Sequence, residues 1–156
     1  MSAPGALPPV VAALLERSPV VGTKAQAFPL LTVDDGGAVH ACLLSASELA
    51  VGDDGVLLAA IASTGTRRRL ALTGRATLLA IEGTTAHSCR LSVRRTAEIE
   101  AILGVELALD SHTPDSLGIA LWPLSYDVTP ELATLEQWER SARVLAQLGA
   151  RRMHQS

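Results

Sequence analysis

From about Ala27 the hydrophobic pattern becomes strand-like. Phe28–Val33 and residues 38–45 carry it on either side of Asp34, Asp35, Gly36 and Gly37, a run with the backbone freedom of a hairpin turn. Residues 46–50 read as a short polar or one-turn helical insert, and a second turn at 52–55 leads into residues 56–62. That stretch, Val-Leu-Leu-Ala-Ala-Ile-Ala, has the length and unbroken hydrophobicity of a buried strand. Hydroxyls, a glycine and three arginines follow at once, and Leu70 and Leu72 then fit a short helix stopped by Gly74.

Arg75–Glu82 and residues 86–93, joined by a turn at 83–85, predict a second hairpin. Between 94 and 109 the spacing of Ala97, Ile99, Ile102 and Leu103 favours a helix ending at Gly104, with irregular strands as the alternative. Residues 110–117 read as a loop and 118–127 as one last strand. Thr129 is placed to cap a helix with Pro130 at its first position, and Leu132, Leu135, Trp138, Ala142, Leu145 and Gly149 recur as a stripe that docks on the sheet. At the other end a Pro/Gly/Ala leader precedes a short helix near residues 10–17, begun by Pro8 and Pro9.

The expected architecture is mainly β, a small six-stranded antiparallel barrel flanked by short helices and closed by a C-terminal helix. Residues 1–26 are leader and first helix, 27–128 the barrel domain, and 129–150 the packing helix of the same domain. Hydrophobic residues make up 48% of the 156 and charged ones 19%, which fits one domain with a core and argues against disorder. With 3% aromatics and a net charge of -3, nucleic acid is not an expected partner. Two cysteines build no disulfide framework and no apolar run is long enough to span a bilayer, so a cytoplasmic location away from membranes is expected.

Candidate chemistry concentrates where the buried strand ends. Ser63, Thr64 and Thr66 supply hydroxyls and a cap, and Arg67, Arg68 and Arg69 add cationic donors beside a helix N-terminus, the arrangement that binds phosphate. Arginine in a first turn opposes the helix dipole, a conflict that a bound anion relieves; the alternative is a solvated turn whose arginines meet acids elsewhere. A second pattern is the repeated His-x-Cys of His40/Cys42 and His87/Cys89. If the two strands adjoin, these residues offer two imidazoles and two thiolates to a zinc ion. No G-x-S-x-G elbow supports hydrolysis.

The order of parts, with the strand pair around Asp34-Asp35-Gly36-Gly37-Ala38-Val39-His40, the strand-to-arginine element and the hairpin after it, resembles the pyridoxamine-phosphate-oxidase-like family of flavin-binding split barrels. The likeness runs best from residue 28 to 93. Its tail is similar to that of the small, mostly uncharacterised bacterial branch. The resemblance implies a six-stranded split barrel binding flavin mononucleotide (FMN), with Ser63, Thr64, Thr66, Arg67 and Arg68 at the phosphate. The strand of His40 to Ser45 would lie along the ring, and His40 or Ser45 would meet its polar edge. It also implies a homodimer with the cofactor site near the subunit interface and an oxidoreductase acting on an unknown small substrate. Phe28, Trp122, Tyr126 and Trp138 are the only aromatics, which leaves no set of the kind the oxidase branch uses for a pyridoxal-type substrate. The alternative is a non-enzymatic dimeric barrel that binds deazaflavin, haem or zinc, or no cofactor.

Overall fold

A computed structural model of the chain describes residues 4–135 and 138–153; residues 1–3 of the expected leader lie outside these. Two prolines start helix α1 (Pro9–Leu15), as their fixed φ favours. A three-residue strand β1 (Lys24–Gln26) leads to the hairpin β2 (Phe28–Val33) and β3 (Val39–Leu44). A single 3-10 turn (Ala46–Glu48) precedes β4 (Leu49–Val51) and β5 (Leu57–Ile61). Helix α2 (Thr64–Thr73), β6 (Arg75–Glu82), β7 (Thr85–Ile99), β8 (Ile102–Ser116) and β9 (Ser125–Asp127) follow, then α3 (Pro130–Leu135) and α4 (Trp138–Met153).

The main sheet holds seven antiparallel strands in the order β3-β2-β6-β7-β8-β5-β4, one more than expected; β1 and β9 pair separately. The sheet curls into a half-barrel, and α1 touches both β4 and β6 across its open side. Phe28, Leu30, Leu57, Ile61, Leu78, Leu91 and Leu107 fill the interior with Val11 and Leu14 of α1 and Leu70 of α2. On the opposite face of the sheet, Val144, Leu145 and Leu148 of α4 cover Val56, Leu58, Ala60, Ile99 and Ile102. Strand β5 is therefore buried on both faces, which explains its unbroken apolar run.

Helix α4 docks on the sheet as expected, but its buried line is Ser141, Val144, Leu145 and Leu148, about one position away from the Trp138, Ala142 and Gly149 phase; the side chain of Leu135 lies outside the described residues. Beneath the helix, Arg95 reaches the nearly buried Glu106 at 3.5 Å and donates to the Leu148 carbonyl at 2.6 Å.

Three expectations are corrected. Residues 94–109 form no helix, because they are the facing ends of two 15-residue strands joined at a tip of Glu100 and Ala101, both at positive φ (51° and 65°). Non-glycine residues there carry backbone strain, and long-range contacts hold the tip: Arg143 grips Glu100 at 3.0 and 3.1 Å, and Arg67 bonds the Ala101 carbonyl at 3.2 Å. Residues 110–116, expected as a loop, continue β8 past the end of its pairing with β5. The far side of β8 is an open edge there, where Pro114 and polar residues are tolerated. Of the strand expected at 118–127 only β9 forms, since Pro123 and a lack of pairing partners leave the preceding residues irregular. No helix among the described residues is long and apolar enough to cross a membrane.

Candidate functional site: the first turn of helix α2

Strand β5 ends at Ile61, and the chain turns outward through Ala62 into α2. Ser63 caps that helix, its Oγ accepting from the Thr66 N–H at 3.3 Å. Gly74 ends it in the left-handed region (φ 66°), donating its N–H to the Leu70 carbonyl at 2.8 Å, and β6 starts at the next residue. The sequence placed both ends of this helix correctly. Ser63 and Thr64 are exposed at its start, whereas Thr66 is buried.

Successive helical residues differ by about 100°, so the three arginines diverge. Arg67 turns to the β7–β8 tip, pairing with Glu98 at 2.9 Å in addition to the Ala101 carbonyl. Arg69 turns to the barrel end, donating to Thr32 Oγ1 at 2.7 Å and Thr66 Oγ1 at 3.4 Å. Arg68 is exposed and makes no hydrogen bond or ion pair among the described residues.

The β3 candidates stand apart from one another. His40 lies opposite Thr32, and its Nε2 binds Asp34 Oδ2 at 2.9 Å; that hydrogen bond is the main force holding the Asp34 carboxyl below its ordinary value. Ser45, five residues on, is buried in a local cap in which its N–H donates to Glu48 Oε1 at 3.1 Å and its hydroxyl meets Ser47. Five extended residues span roughly 16 Å, so His40 and Ser45 mark opposite ends of the strand. Sequence reasoning missed Thr32, and it assigned Arg69 to a phosphate and Cys42 to a zinc ion; the structure brings all three to Thr66 at the barrel end. Burial pushes the Cys42 thiol up, a bond with Thr66 opposes that, and Arg69 acts in the same direction as Thr66.

Beside α2, between the helix and the β7–β8 hairpin, lies a cleft of about 550 Å³. Leu70, Ala71, Val93 and Leu103 supply apolar walls, and Arg67 and Arg68 are the ionisable groups lining it. The volume suits a small-molecule site. The lining runs along the flank of α2 from Arg67 to Gly74, so the cleft combines guanidinium groups with apolar walls. The chain offers no acid–base group within this lining.

Two solved structures are similar to this chain. The conserved hypothetical protein Rv2991 from Mycobacterium tuberculosis aligns with a TM-score of 0.53 at 13% identity, over 80% of this chain and 96% of that one, and the two share a fold. The styrene monooxygenase flavin reductase SMOB from Pseudomonas putida S12 aligns with a TM-score of 0.49 at 9% identity, over 67% of this chain and 86% of that one. No family model matches the sequence, and neither does any curated protein.

The two His-x-Cys pairs do not converge. His40 and Cys42 are on β3 and His87 and Cys89 on β7, with β2 and β6 between them. Among the described residues no cluster of three or more His, Cys, Asp or Glu is arranged to hold a metal. His87 instead meets His112, its Nδ1 2.8 Å from His112 Nε2. The ring centres are 5.1 Å apart and the planes differ by 18°. That separation equals the N···N distance plus the two ring radii, so the nitrogens lie between the ring centres and share one proton in an N–H···N bond. The other nitrogen of His87, Nε2, is buried without a partner among the described residues.

Proposed function

We propose that this protein binds FMN and serves as an oxidoreductase on a small substrate, with the phosphate at the first turn of α2. One observation carries the reading: strand β5 presents a serine-capped helix start whose unpaired Arg68 stands at the rim of an apolar-walled cleft of about 550 Å³. Thr64 and Arg68 hold the phosphate, and Ser63 caps the helix start by accepting the Thr66 N–H. Arg67 is spent largely on Glu98, so it anchors the helix and adds positive charge. His40 and Ser45, at the two ends of β3, fall outside this reading. Bound flavin supplies hydride and electron transfer, which suits a cleft whose own side chains provide position and charge.

A flavin titration followed by fluorescence tests the proposal. Arg68→Ala lowers FMN affinity about 10- to 100-fold and leaves riboflavin affinity nearly unchanged, because a charge-assisted bond is worth about 1.5–3 kcal/mol. Absence of flavin binding, or equal losses for both ligands, rejects it. The competing reading, a non-enzymatic dimer, draws on the engagement of Arg67 with Glu98.

We propose also that a second copy of the chain covers residues 117–124. Leu117, Ile119, Trp122 and Leu124 are 70%, 66%, 96% and 57% exposed. Four large apolar side chains exposed within eight residues, a tryptophan among them, form the kind of patch that marks a protein–protein contact. Light scattering is expected to find a dimer that Trp122→Ser weakens; a wild-type monomer at micromolar concentration rejects it.

A further inference from the structure

The outer face of the sheet carries a second groove, of about 420 Å³, which shares no lining residue with the cleft beside α2. Its floor is one rung across four strands. Leu31 stands opposite Thr77, Thr77 opposite Arg90, and Arg90 opposite Ser111. Val33, Thr73, Arg75 and Asp110 complete the lining that matters here.

Two guanidinium groups share this groove with no hydrogen-bond or ion-pair partner among the described residues. Arg75 stands opposite Ser92, two residues beyond Arg90 on the same strand, so the two arginines are diagonal neighbours about 7–8 Å apart at their origins. Both are exposed, and neither side chain makes a hydrogen bond or ion pair among the described residues. Like charges in that relation repel, a cost that a bridging dianion turns into attraction.

The backbone is also shaped there. Arg90 stands opposite Ser111 while Leu91 stands opposite Leu109, so Asp110 is the extra residue of a β-bulge that re-aims side chains along the groove. The Ser92 hydroxyl donates to the Asp110 carboxylate and fixes its place in the lining, where its single negative charge leaves the two arginines in excess. Leu31 and Val33 give one end of the groove an apolar wall, and Thr73, Thr77 and Ser111 offer hydroxyls.

We propose that this groove binds a phosphate monoester carrying an apolar or aromatic body, its dianion bridged by Arg75 and Arg90 and its body against Leu31 and Val33. A dianion uses both guanidinium groups, whereas a carboxylate satisfies one, so the pair selects phosphate. The site stands independently of the flavin reading.

Calorimetric titration of the whole chain with phenyl phosphate, inorganic phosphate and benzoate tests it. The expected order has phenyl phosphate tightest, by at least tenfold over each of the other two. Arg75→Gln and Arg90→Gln each weaken it at least tenfold, with unchanged circular dichroism. Saturable binding that survives both substitutions overturns the proposal, as does no binding by the folded wild-type chain. A loss that follows Arg68→Ala instead assigns the anion to the α2 cleft and overturns it equally.

Discussion

The sequence His-x-Cys occurs on β3 and again on β7, and the two copies have opposite surroundings. On β3, an edge strand, the His40 side chain is 44% exposed and held by the Asp34 carboxylate, and Cys42 is half-buried near Thr66 and Arg69. On β7, flanked by β6 and β8, His87 is 6% exposed and shares a proton with His112, while Cys89 is fully buried and its thiol is raised to about 11. An edge strand leaves polar atoms to water and local partners. A central strand strips them of solvent and lets burial dominate their chemistry. Position in the sheet decides what each copy can do.

The largest effect that can break this contrast comes from placing a carboxylate at each cysteine. Cys89→Asp puts an unpaired charge in the barrel interior, at an expected cost of about 3–5 kcal/mol, enough to leave a marginal domain largely unfolded. Cys42→Asp meets solvent and the Arg69 guanidinium, and is expected to cost about 1 kcal/mol or less. Urea denaturation of the two variants measures both. Equal losses would show that the edge position gives Cys42 no relief.

The same distinction between local and distant causes explains what was legible in the sequence. The β2–β3 hairpin, the α2 cap and the Gly74 stop are set by residues within a few positions, and all were read from the chain. The β7–β8 tip was misread because Glu100 and Ala101 carry no turn signature, and their conformation depends on Arg143 and Arg67 from distant elements. At the candidate site, the hydroxyl-to-arginine run was visible, but the destination of each arginine was not. Helical phase sends Arg67 to Glu98 and Arg69 to Thr32, neither of which is near it in sequence. The bulge at Asp110 was hidden for a related reason: it exists only in the register between β7 and β8.

A smaller effect sharpens the contrast along the pH axis. Burial first, then the neighbouring His112, holds the His87 pKa below its ordinary 6.5, and Glu82 at the end of β6 pulls weakly the other way. Below pH 6.5 the unfolded chain therefore binds a proton at His87 that the folded chain resists. The stability tied to His87 is complete above pH 6.5 and is lost as pH falls through the lowered folded value. The Asp34 carboxyl on β3, held below its ordinary 3.8 chiefly by His40, loses its contribution only at more acid pH. Urea midpoints measured stepwise from pH 7.5 to 5 are expected to decline in the wild type and to decline less in His87→Gln. A His87→Gln slope equal to that of the wild type would mean that the buried imidazole pair takes up its second proton as freely as a histidine in water, and the difference drawn between the two strands would then not extend to their histidines.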